Sequence, residues 1–419
     1  MSTGVCIINR NGIALAADSA GTFTGNKMFY NSMNKVFSLS RKNVYGAITY
    51  GSTCIYNTSI EQILKEFRMF LDERKDIDDF FEILDQFVNF IEYKNKYFKF
   101  DVLEKGDCES LIKALVVDWG NKIKSCIGEE NPKEKIHNIL YEFQLDISKA
   151  IKIDGYDVSD YIKESYRVEY ENILNVVVPE IKDYPEEKEQ FWTIISSYFN
   201  LSLKRETDKS MGLFFAGYGK NDAFPKTIHI EVYTAVNGKL KYSVIKKFEE
   251  SNQNANIIPL AQSDVILTFC KGISQYFINY IPQKTEEIIN TKIDVLPENF
   301  TDEQKVFLKK HMLSCKNDIS SSINATIHSK NTKPILDSVQ LIPLPEMALL
   351  AENLVNITSL KRTFALDGNQ QTVGGPTDVA VMSKGDGFVW IKRKLYFDKD
   401  INIDYQNRLA LKSEKQKLD

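Results

Sequence analysis

Ser2 is the residue of this sequence whose position suggests a chemistry of its own. It directly follows Met1, and its small side chain suits removal of that methionine by an aminopeptidase. A serine hydroxyl is a weak nucleophile without a base, but an N-terminal serine has one in its free α-amine, with a pKa of about 7.7–8.0. Ser2 can therefore serve as nucleophile and general base together. The alternative is that Ser2 is an ordinary second residue.

Other reactive side chains form no recognisable site in the sequence. The six cysteines are scattered without a CxxC pair, which predicts free buried thiols. The four histidines lack metal-ligand spacing, so we expect no metal and no cofactor. Gly217-Tyr218-Gly219 is followed neither by a third glycine nor by Gly-Lys-Ser/Thr, so we expect no phosphate-binding loop.

Length and charge restrict the class of protein further. The 419 residues are 43% hydrophobic, enough for a large core and about two or three domains. The net charge of −4 shows no basic excess that would favour nucleic acid or an acidic membrane. No signal peptide and no membrane-spanning run of apolar residues is recognisable, so we expect a cytoplasmic protein.

The start of the chain predicts two β-hairpins and then a helix. Apolar runs at residues 5–8 and 13–17 flank Asn11-Gly12, a strong two-residue turn signal, and polar residues 19–31 predict a loop. At Gly51 the apolar spacing becomes helical. The second hairpin is expected to pair residues 35–39 with residues 44–50.

The remainder alternates between helical and strand patterns. Helices are predicted at 79–93, 108–127, 133–151, 158–177, 186–203, 258–280 and 345–366, and residues 281–344 are expected to be irregular and helical. Strands are predicted at 212–217, 227–233, 240–246, 378–383 and 388–392, with an Asn237-Gly238 turn between the second and third.

These elements predict a core interrupted by two helical insertions. Apolar runs on both sheet faces predict an α+β fold, a four-layer αββα sandwich of two antiparallel sheets covered by helices. The expected segments are a core at 2–72, 206–280 and 345–400, insertions at 73–205 and 281–344, and a polar tail at 401–419.

Four short motifs resemble proteasome β-subunits and their simpler bacterial relatives, which are N-terminal-nucleophile (Ntn) hydrolases. The family begins at its nucleophile, runs one strand, turns at glycine and returns through Ala-Ala-Asp-Ser, as Ser2 and Ala16-Ala17-Asp18-Ser19 do here. Asn34-Lys35-Val36, Tyr50-Gly51-Ser52-Thr53 and the segment 372–381 resemble three further family motifs. The resemblance implies the Ntn fold in a bacterial proteasome-related protein with large helical insertions.

The resemblance implies a role for each matching residue. Ser2 would be the nucleophile, the Lys35 ammonium would disfavour protonation of the Ser2 amine, and Asp18 would hold Lys35. The Gly51 N–H would stabilise the oxyanion, and Ser263 would replace a family serine near the middle helix. The simpler interpretations are that Asp18 is a turn residue, Lys35 a solvated charge and Gly51 a helix N-cap.

The last motif departs from the family pattern. Val373 stands where the family has a serine before Gly-Gly, and Thr372 is the nearest hydroxyl. Asp367 or Asn369 would have to replace a family aspartate. These departures concern the groups expected around the Ser2 amine.

The sequence therefore predicts a proteasome-like amide hydrolase, a threonine/serine-type endopeptidase acting on peptides or proteins. The alternatives are a catalytically inactive proteasome-like scaffold that binds a partner, and a small-molecule amidase. By family position Gly21, Met33, Thr49 and Thr53 would line the substrate pocket. The resemblance also implies a homo-oligomer and allows a separate ATPase or regulatory partner.

Overall fold

A computed structural model describes residues 2–23, 28–56, 58–94, 96–150, 153, 155–201, 210–249, 255–297, 300–364, 373–398 and 401–403. The strands are β1 (Thr3–Asn9), β2 (Gly12–Ala17), β3 (Gly21–Phe23), β4 (Met28–Tyr30), β5 (Val36–Ser38), β6 (Tyr45–Gly51), β7 (Cys54–Ile55), β8 (Thr58–Ser59), β9 (Met211–Gly217), β10 (Lys226–Val236), β11 (Lys239–Glu249), β12 (Asn256–Ala261), β13 (Asp378–Ser383) and β14 (Gly387–Lys392).

The helices are α1 (Ile60–Asp72), α2 (Ile83–Lys94), α3 (Phe100–Cys126), α4 (Pro132–Lys149), α5 (Ser159–Ser165), α6 (Arg167–Val177), α7 (Pro185–Tyr198), α8 (Asp264–Lys271), α9 (Gln275–Asp294), α10 (Asp302–Ile327), α11 (Lys333–Leu341) and α12 (Leu344–Phe364). The chain divides into two compact units. We call Met1–Val36 with Glu250–Asp419 the terminal unit, and Phe37–Glu249 the central unit.

The terminal unit is built on a five-stranded antiparallel sheet in the order β12-β1-β2-β13-β14. Helices α11 and α12 pack on it. Small side chains on β2, Ala14 and Ala16, share one core with Ala348 and Ala351 of α12, which allows the helix to approach the strand closely. β1 and β2 are buried along their whole length, so both faces of these strands read as apolar in the sequence.

The first hairpin is confirmed, with its turn one residue earlier than predicted. Arg10 and Asn11 form the loop, and Gly12 pairs with Asn9 inside the ladder. The Asn9 side-chain oxygen accepts the N–H of Asn11 at 2.8 Å and that of Gly12 at 3.3 Å, which fixes the turn. A Cβ on Gly12 would lie 2.2 Å from the Met382 carbonyl oxygen of β13, so glycine permits this close approach.

Two predictions of local structure in the terminal unit are wrong, and the prediction for residues 281–344 is right in that the segment is helical but wrong in that it is irregular. Residues 258–280 were predicted as one helix, but β12 occupies the start and pairs with β1 before α8 and α9 begin. Pro259 is tolerated there because β12 is an edge strand. The expected loop 19–31 contains the β3–β4 ribbon, and residues 281–344 hold the regular helices α10 and α11 with a π-helical turn at His328–Thr332.

The central unit is built on a second five-stranded antiparallel sheet, in the order β11-β10-β9-β6-β5. The predicted Asn237-Gly238 turn joins β10 to β11, and both residues have positive φ, 53° and 70°, as this type of turn requires. Helices α1 and α2 share one apolar core with this sheet. Helices α3 to α7 form a second core around Tyr170 and Trp192, whose rings stack at 4.4 Å.

The predicted α+β fold class is confirmed, since each unit consists of an antiparallel sheet with helices packed on it. Helices α2 to α7 occupy much of the segment 73–205, and the division into core and insertions stays a prediction. Among the helices in the described ranges, none combines the length and apolar character needed to cross a membrane.

His229 of β10 makes the stability of the central unit depend on pH. Burial lowers its pKa from 6.5 to about 4, against the opposing effect of Glu231, and its Nε2 lies 2.6 Å from the Tyr50 hydroxyl. The unfolded chain binds this proton at higher pH than the folded chain does. The stabilisation is therefore complete above pH 6.5 and is lost as pH falls towards 4.

Between pH 6.5 and 4, protonation of His229 should lower the free energy of unfolding by about 2–3 kcal/mol. We expect His229→Gln to abolish this contribution. Urea unfolding across that range measures it. His137→Gln, at an exposed position on α4, is the matched control and should keep the wild-type slope. Equal slopes for the two variants would contradict the assignment.

Candidate functional site

Ser2 lies at the start of β1 in the terminal unit. β1 runs between β12 and β2, and the Ser2 carbonyl accepts the N–H of Gln262 at 3.1 Å. Ser2 is 8% exposed, so the backbone position of this residue is fixed while a small part of it stays accessible. Met1 lies outside the described residues.

Asp18 directly follows the return strand β2, and its side chain accepts four hydrogen bonds. One carboxylate oxygen accepts the Lys35 ammonium at 2.6 Å and the Thr3 N–H at 2.9 Å. The other accepts the N–H groups of Gly374 at 3.1 Å and Ala20 at 3.2 Å. Asp18 is 1% exposed, and four donors compensate its negative charge. The interpretation of Asp18 as a simple turn residue does not account for these contacts.

Lys35 is buried, not solvated. It is 6% exposed, and Asp18 is the partner of its ammonium group. Burial lowers the pKa of Lys35 below its usual 10.5, Asp18 acts in the opposite direction, and the positive charge of Lys394 lowers it further. The residue next to Ser2, Thr3, donates its N–H to the same carboxylate, so the ion pair lies at the start of the chain.

The Val373–Pro376 segment of the last motif is hydrogen-bonded to the turn that carries Asp18. Ser19 donates its N–H to the Gly374 carbonyl at 3.1 Å and its hydroxyl to the Pro376 carbonyl at 2.5 Å. Val373 is buried and brings no hydroxyl. The substitutes considered from the sequence, Asp367, Asn369 and Thr372, lie outside the described residues.

Ser263 is the N-cap residue of α8, and it immediately follows Gln262, which binds the Ser2 carbonyl. Its own carbonyl accepts the Leu267 N–H at 2.8 Å, whereas its hydroxyl makes no capping bond to the helix. The residue is half-buried. The structure thus places Ser263 one residue beyond a direct backbone contact of Ser2.

Gly21 and Met33 are neighbours within the terminal unit. A Cβ on Gly21 would lie 2.6 Å from Cγ of Met33, and the Met33 N–H donates to the Ser19 carbonyl at 3.0 Å. The side chain of Met33 therefore occupies the space that any larger residue at position 21 would need.

Gly51, Thr49 and Thr53 belong to the central unit. Gly51 ends β6 with φ +82°, and a Cβ there would lie 2.6 Å from the Ser210 carbonyl oxygen. The expectation that Gly51 opens or caps the first helix is wrong, because α1 begins at Ile60 behind its N-cap Ser59. Thr49 is buried in β6, and the Thr53 carbonyl accepts the Ile60 N–H at 2.9 Å.

Several groups around the site were not found from the sequence. The N–H groups of Thr3, Ala20 and Gly374 bind Asp18, but a backbone donor leaves no residue-type signal. The Thr3 hydroxyl is buried and has no hydrogen-bond partner among the described residues. The buried Asp378 and the partly buried Lys394 form a second ion pair in the same unit, and its only sequence signal is a charge at the start of an apolar strand.

Comparison with known proteins gives structural similarity alone. No family model matches the chain, and no curated protein matches it. Anbu from Hyphomicrobium sp. strain MC1 is similar at a TM-score of 0.28 and 10% identity, covering 100% of this chain and 98% of that chain. Its Gly-1 mutant gives 0.27 and 9% over the same shares, and Anbu (ancestral beta-subunit) from Yersinia bercovieri gives 0.28 and 10% over 97% and 94%.

We expect Asp18→Asn to destabilise the terminal unit by about 3–5 kcal/mol, because it leaves the buried Lys35 ammonium without its anion. The Asn side chain would also place an amide N–H₂ group, which can only donate, against N–H groups that now bind a carboxylate oxygen. Urea unfolding followed by circular dichroism measures the loss. Asp337→Asn, at an exposed position on α11, should change stability by less than about 0.5 kcal/mol. Equal stabilities of the two variants would refute a structural role for the pair.

Proposed function

We propose that this protein is an Ntn amide hydrolase in which Ser2, freed by removal of Met1, is the nucleophile and its α-amine the general base. The observation that carries the proposal is the buried Asp18–Lys35 pair, whose carboxylate also accepts the N–H of Thr3, the residue that follows Ser2. An ion pair with a purely structural role could lie anywhere in the fold and would not have to lie next to the first strand. A nearby fixed positive charge would favour the neutral, basic form of the α-amine that such a nucleophile uses.

The proposed electrostatics follow from the pair. A cation near the Ser2 amine disfavours the protonated amine and so increases the fraction that is neutral and basic near neutral pH. Asp18 binds the Lys35 ammonium, and the three backbone N–H groups that also bind Asp18 fix the orientation of its carboxylate. The half-buried Ser263 hydroxyl is the proposed hydrogen-bond partner of the amine, since it does not cap α8.

The proposed reaction proceeds in two stages. The amine takes the proton of the Ser2 hydroxyl as its oxygen attacks the carbonyl carbon of the substrate amide, and the proposed oxyanion donor is the Gly51 N–H. The resulting ammonium returns that proton to the leaving nitrogen, which departs as an amine and leaves an ester on Ser2. The free amine then takes a proton from a water molecule, whose oxygen attacks the ester. The ammonium returns that proton to the Ser2 oxygen as the ester bond breaks, and the carboxylic acid is released.

The proposed substrates are peptides or proteins, with a small-molecule amide as the alternative. Gly21 and Met33 are the proposed pocket residues of the terminal unit. Because the Met33 side chain already fills the space next to Gly21, the proposed pocket favours a small substrate side chain at that point. Thr49 and Thr53 are the proposed pocket residues of the central unit. Self-association and a separate ATPase or regulatory partner stay predictions from the family resemblance.

We expect Ser2→Ala to lower the hydrolysis of amide probes by at least about 1,000-fold, since it removes the nucleophile and keeps the amine. Ser2→Thr, which retains both hydroxyl and amine, should keep activity within about tenfold. A β-lactone or epoxyketone should add to wild-type Ser2 and not to the alanine variant, as measured by peptide mass spectrometry. Intact-mass measurement establishes first that Met1 is absent.

The matched control is Ser32→Ala, which removes an exposed hydroxyl elsewhere in the terminal unit and should leave hydrolysis and labelling unchanged. Full hydrolysis by Ser2→Ala, or retention of Met1 in the purified protein, would refute the proposed mechanism.

The second candidate function is a catalytically inactive scaffold of the same architecture. The observation in its favour is Val373, a buried apolar residue in the segment where the family resemblance leads one to expect a serine. A scaffold of this kind would contain a free Ser2 amine and an intact Asp18–Lys35 pair, yet fail to react with either covalent probe. The labelling experiment therefore separates the two functions.

A further inference from the structure

The turn between β12 and α8 lies against the start of the chain. It begins at Ala261, the last residue of β12, which is paired with Thr3 of β1. The next residue, Gln262, donates its backbone N–H to the Ser2 carbonyl at 3.1 Å. Ser263 follows as the N-cap residue of α8. One short turn therefore binds the backbone of the candidate nucleophile and carries the hydroxyl that is the proposed partner of its amine.

The backbone of this turn is strained at Ala261. Its φ is 61°, in the left-handed region that glycine adopts readily and that costs free energy for a residue with a Cβ atom. The residue is exposed, so packing of its side chain does not impose this conformation. Strained backbone persists only where surrounding contacts hold it. Contacts of the neighbouring residues must therefore hold the turn.

Asp264, the first residue of α8, makes such contacts. One carboxylate oxygen accepts the Lys361 ammonium at 3.0 Å, and the other accepts an N–H of the Arg362 guanidinium at 2.8 Å. Both cations belong to the last turn of α12, a helix that packs on β1 and β2. The turn is thus held at two points, at Gln262 by the Ser2 carbonyl and at Asp264 by α12.

The simpler interpretation is that these ion pairs have only a general structural role. The side chains of Asp264 and Lys361 are 45% and 54% exposed, and exposed pairs contribute little to the free energy of unfolding. Their location gives them a local effect. Helix α8 has 8 residues, of which Val265 and Ile266 are buried, so its own packing fixes its first turn weakly. The bonds to α12 therefore determine where that first turn lies.

We propose that Asp264 is a positioning residue of the candidate site, which holds turn 261–263 in its strained conformation against Ser2 by binding α12. The N–H contact to the Ser2 carbonyl depends on that conformation, and so does the placement of the Ser263 hydroxyl. The bearing of this contact on catalysis rests on the proposed function, whereas the positioning itself does not.

The test is the amide hydrogen-exchange rate of Gln262, measured by NMR in the full-length protein labelled with ²H and ¹⁵N. Asp264→Asn should increase this rate about 5–10-fold, because it removes the ionic contacts and keeps the size of the side chain. Asp264→Glu keeps the charge and should stay within about twofold of wild type. Asp302→Asn, at the exposed first residue of α10, is the matched control and should leave the Gln262 rate unchanged.

Substitutions of Ala261 test the strained backbone and leave the ion pairs in place. Ala261→Val introduces a β-branched side chain, which disfavours the left-handed conformation further and should increase the Gln262 exchange rate at least about tenfold. Ala261→Gly fits this conformation and should stay within about threefold of wild type. Because the residue is exposed, packing does not account for a difference between these two variants.

An unchanged Gln262 exchange rate in both Asp264→Asn and Ala261→Val would overturn the proposal. An equal increase in Asp302→Asn would overturn it too, because the effect would then not depend on the contact with α12. Urea unfolding of each variant completes the test. A loss of global stability large enough to account for the faster exchange would reduce Asp264 to a general structural role.

Labelling of Ser2 by a β-lactone separates the positioning from the proposed function. If Ser2 reacts, its labelling rate should fall about 3–10-fold in Asp264→Asn and stay unchanged in Asp302→Asn, because a displaced catalytic group slows the reaction. Faster exchange at Gln262 without labelling in wild type would support the positioning and count against the proposed function. Labelling of Asp264→Asn and Ala261→Val at the wild-type rate would overturn the positioning role in the reaction.

Discussion

The terminal unit depends on one buried carboxylate, that of Asp18. Removing a carboxylate and an ammonium from water costs several kcal/mol per ion, and a single ion pair seldom repays this. The structure compensates Asp18 with the Lys35 ammonium and three backbone N–H groups, one from the adjacent Ala20 and the others from Thr3 and the distant Gly374. Each donor must be correctly placed for the others to be satisfied. The chain start, the turn after β2 and the segment before β13 are thereby fixed relative to one another.

The sheet of the terminal unit explains why these segments meet. β2 lies between β1 and β13, so its last residues are flanked by the first residue of β13 and the start of β1. The alanines of β2 let α12 pack closely on the strand, and this makes the end of β2 a rigid point from which Asp18 projects. Asp378, the first residue of β13, lies opposite Ala17 and binds the partly buried Lys394.

The sequence was informative where the signal is local. The Asn-Gly turn at 237–238, the apolar periodicity of α1 and α12 and the final hairpin are all present, because each depends on residues within one turn or one helix face. β12 was missed because a short apolar run fits a buried strand or a helix equally well, and only its pairing with β1 decides between them. The one-residue error at Gly12 has the same origin, since that glycine is required by contact with β13.

The candidate site shows the same division between local and distant information. Motif spacing identified Asp18 and Lys35, and the structure joins them, although nothing in the spacing indicates their burial. The contribution of the Val373–Pro376 segment is made by its backbone: the Gly374 N–H binds Asp18, and two carbonyls of the segment accept bonds from Ser19. Valine at position 373 therefore leaves the charge arrangement intact and removes only a hydroxyl. The Asp18–Lys35 pair thus does not depend on the side chain at position 373.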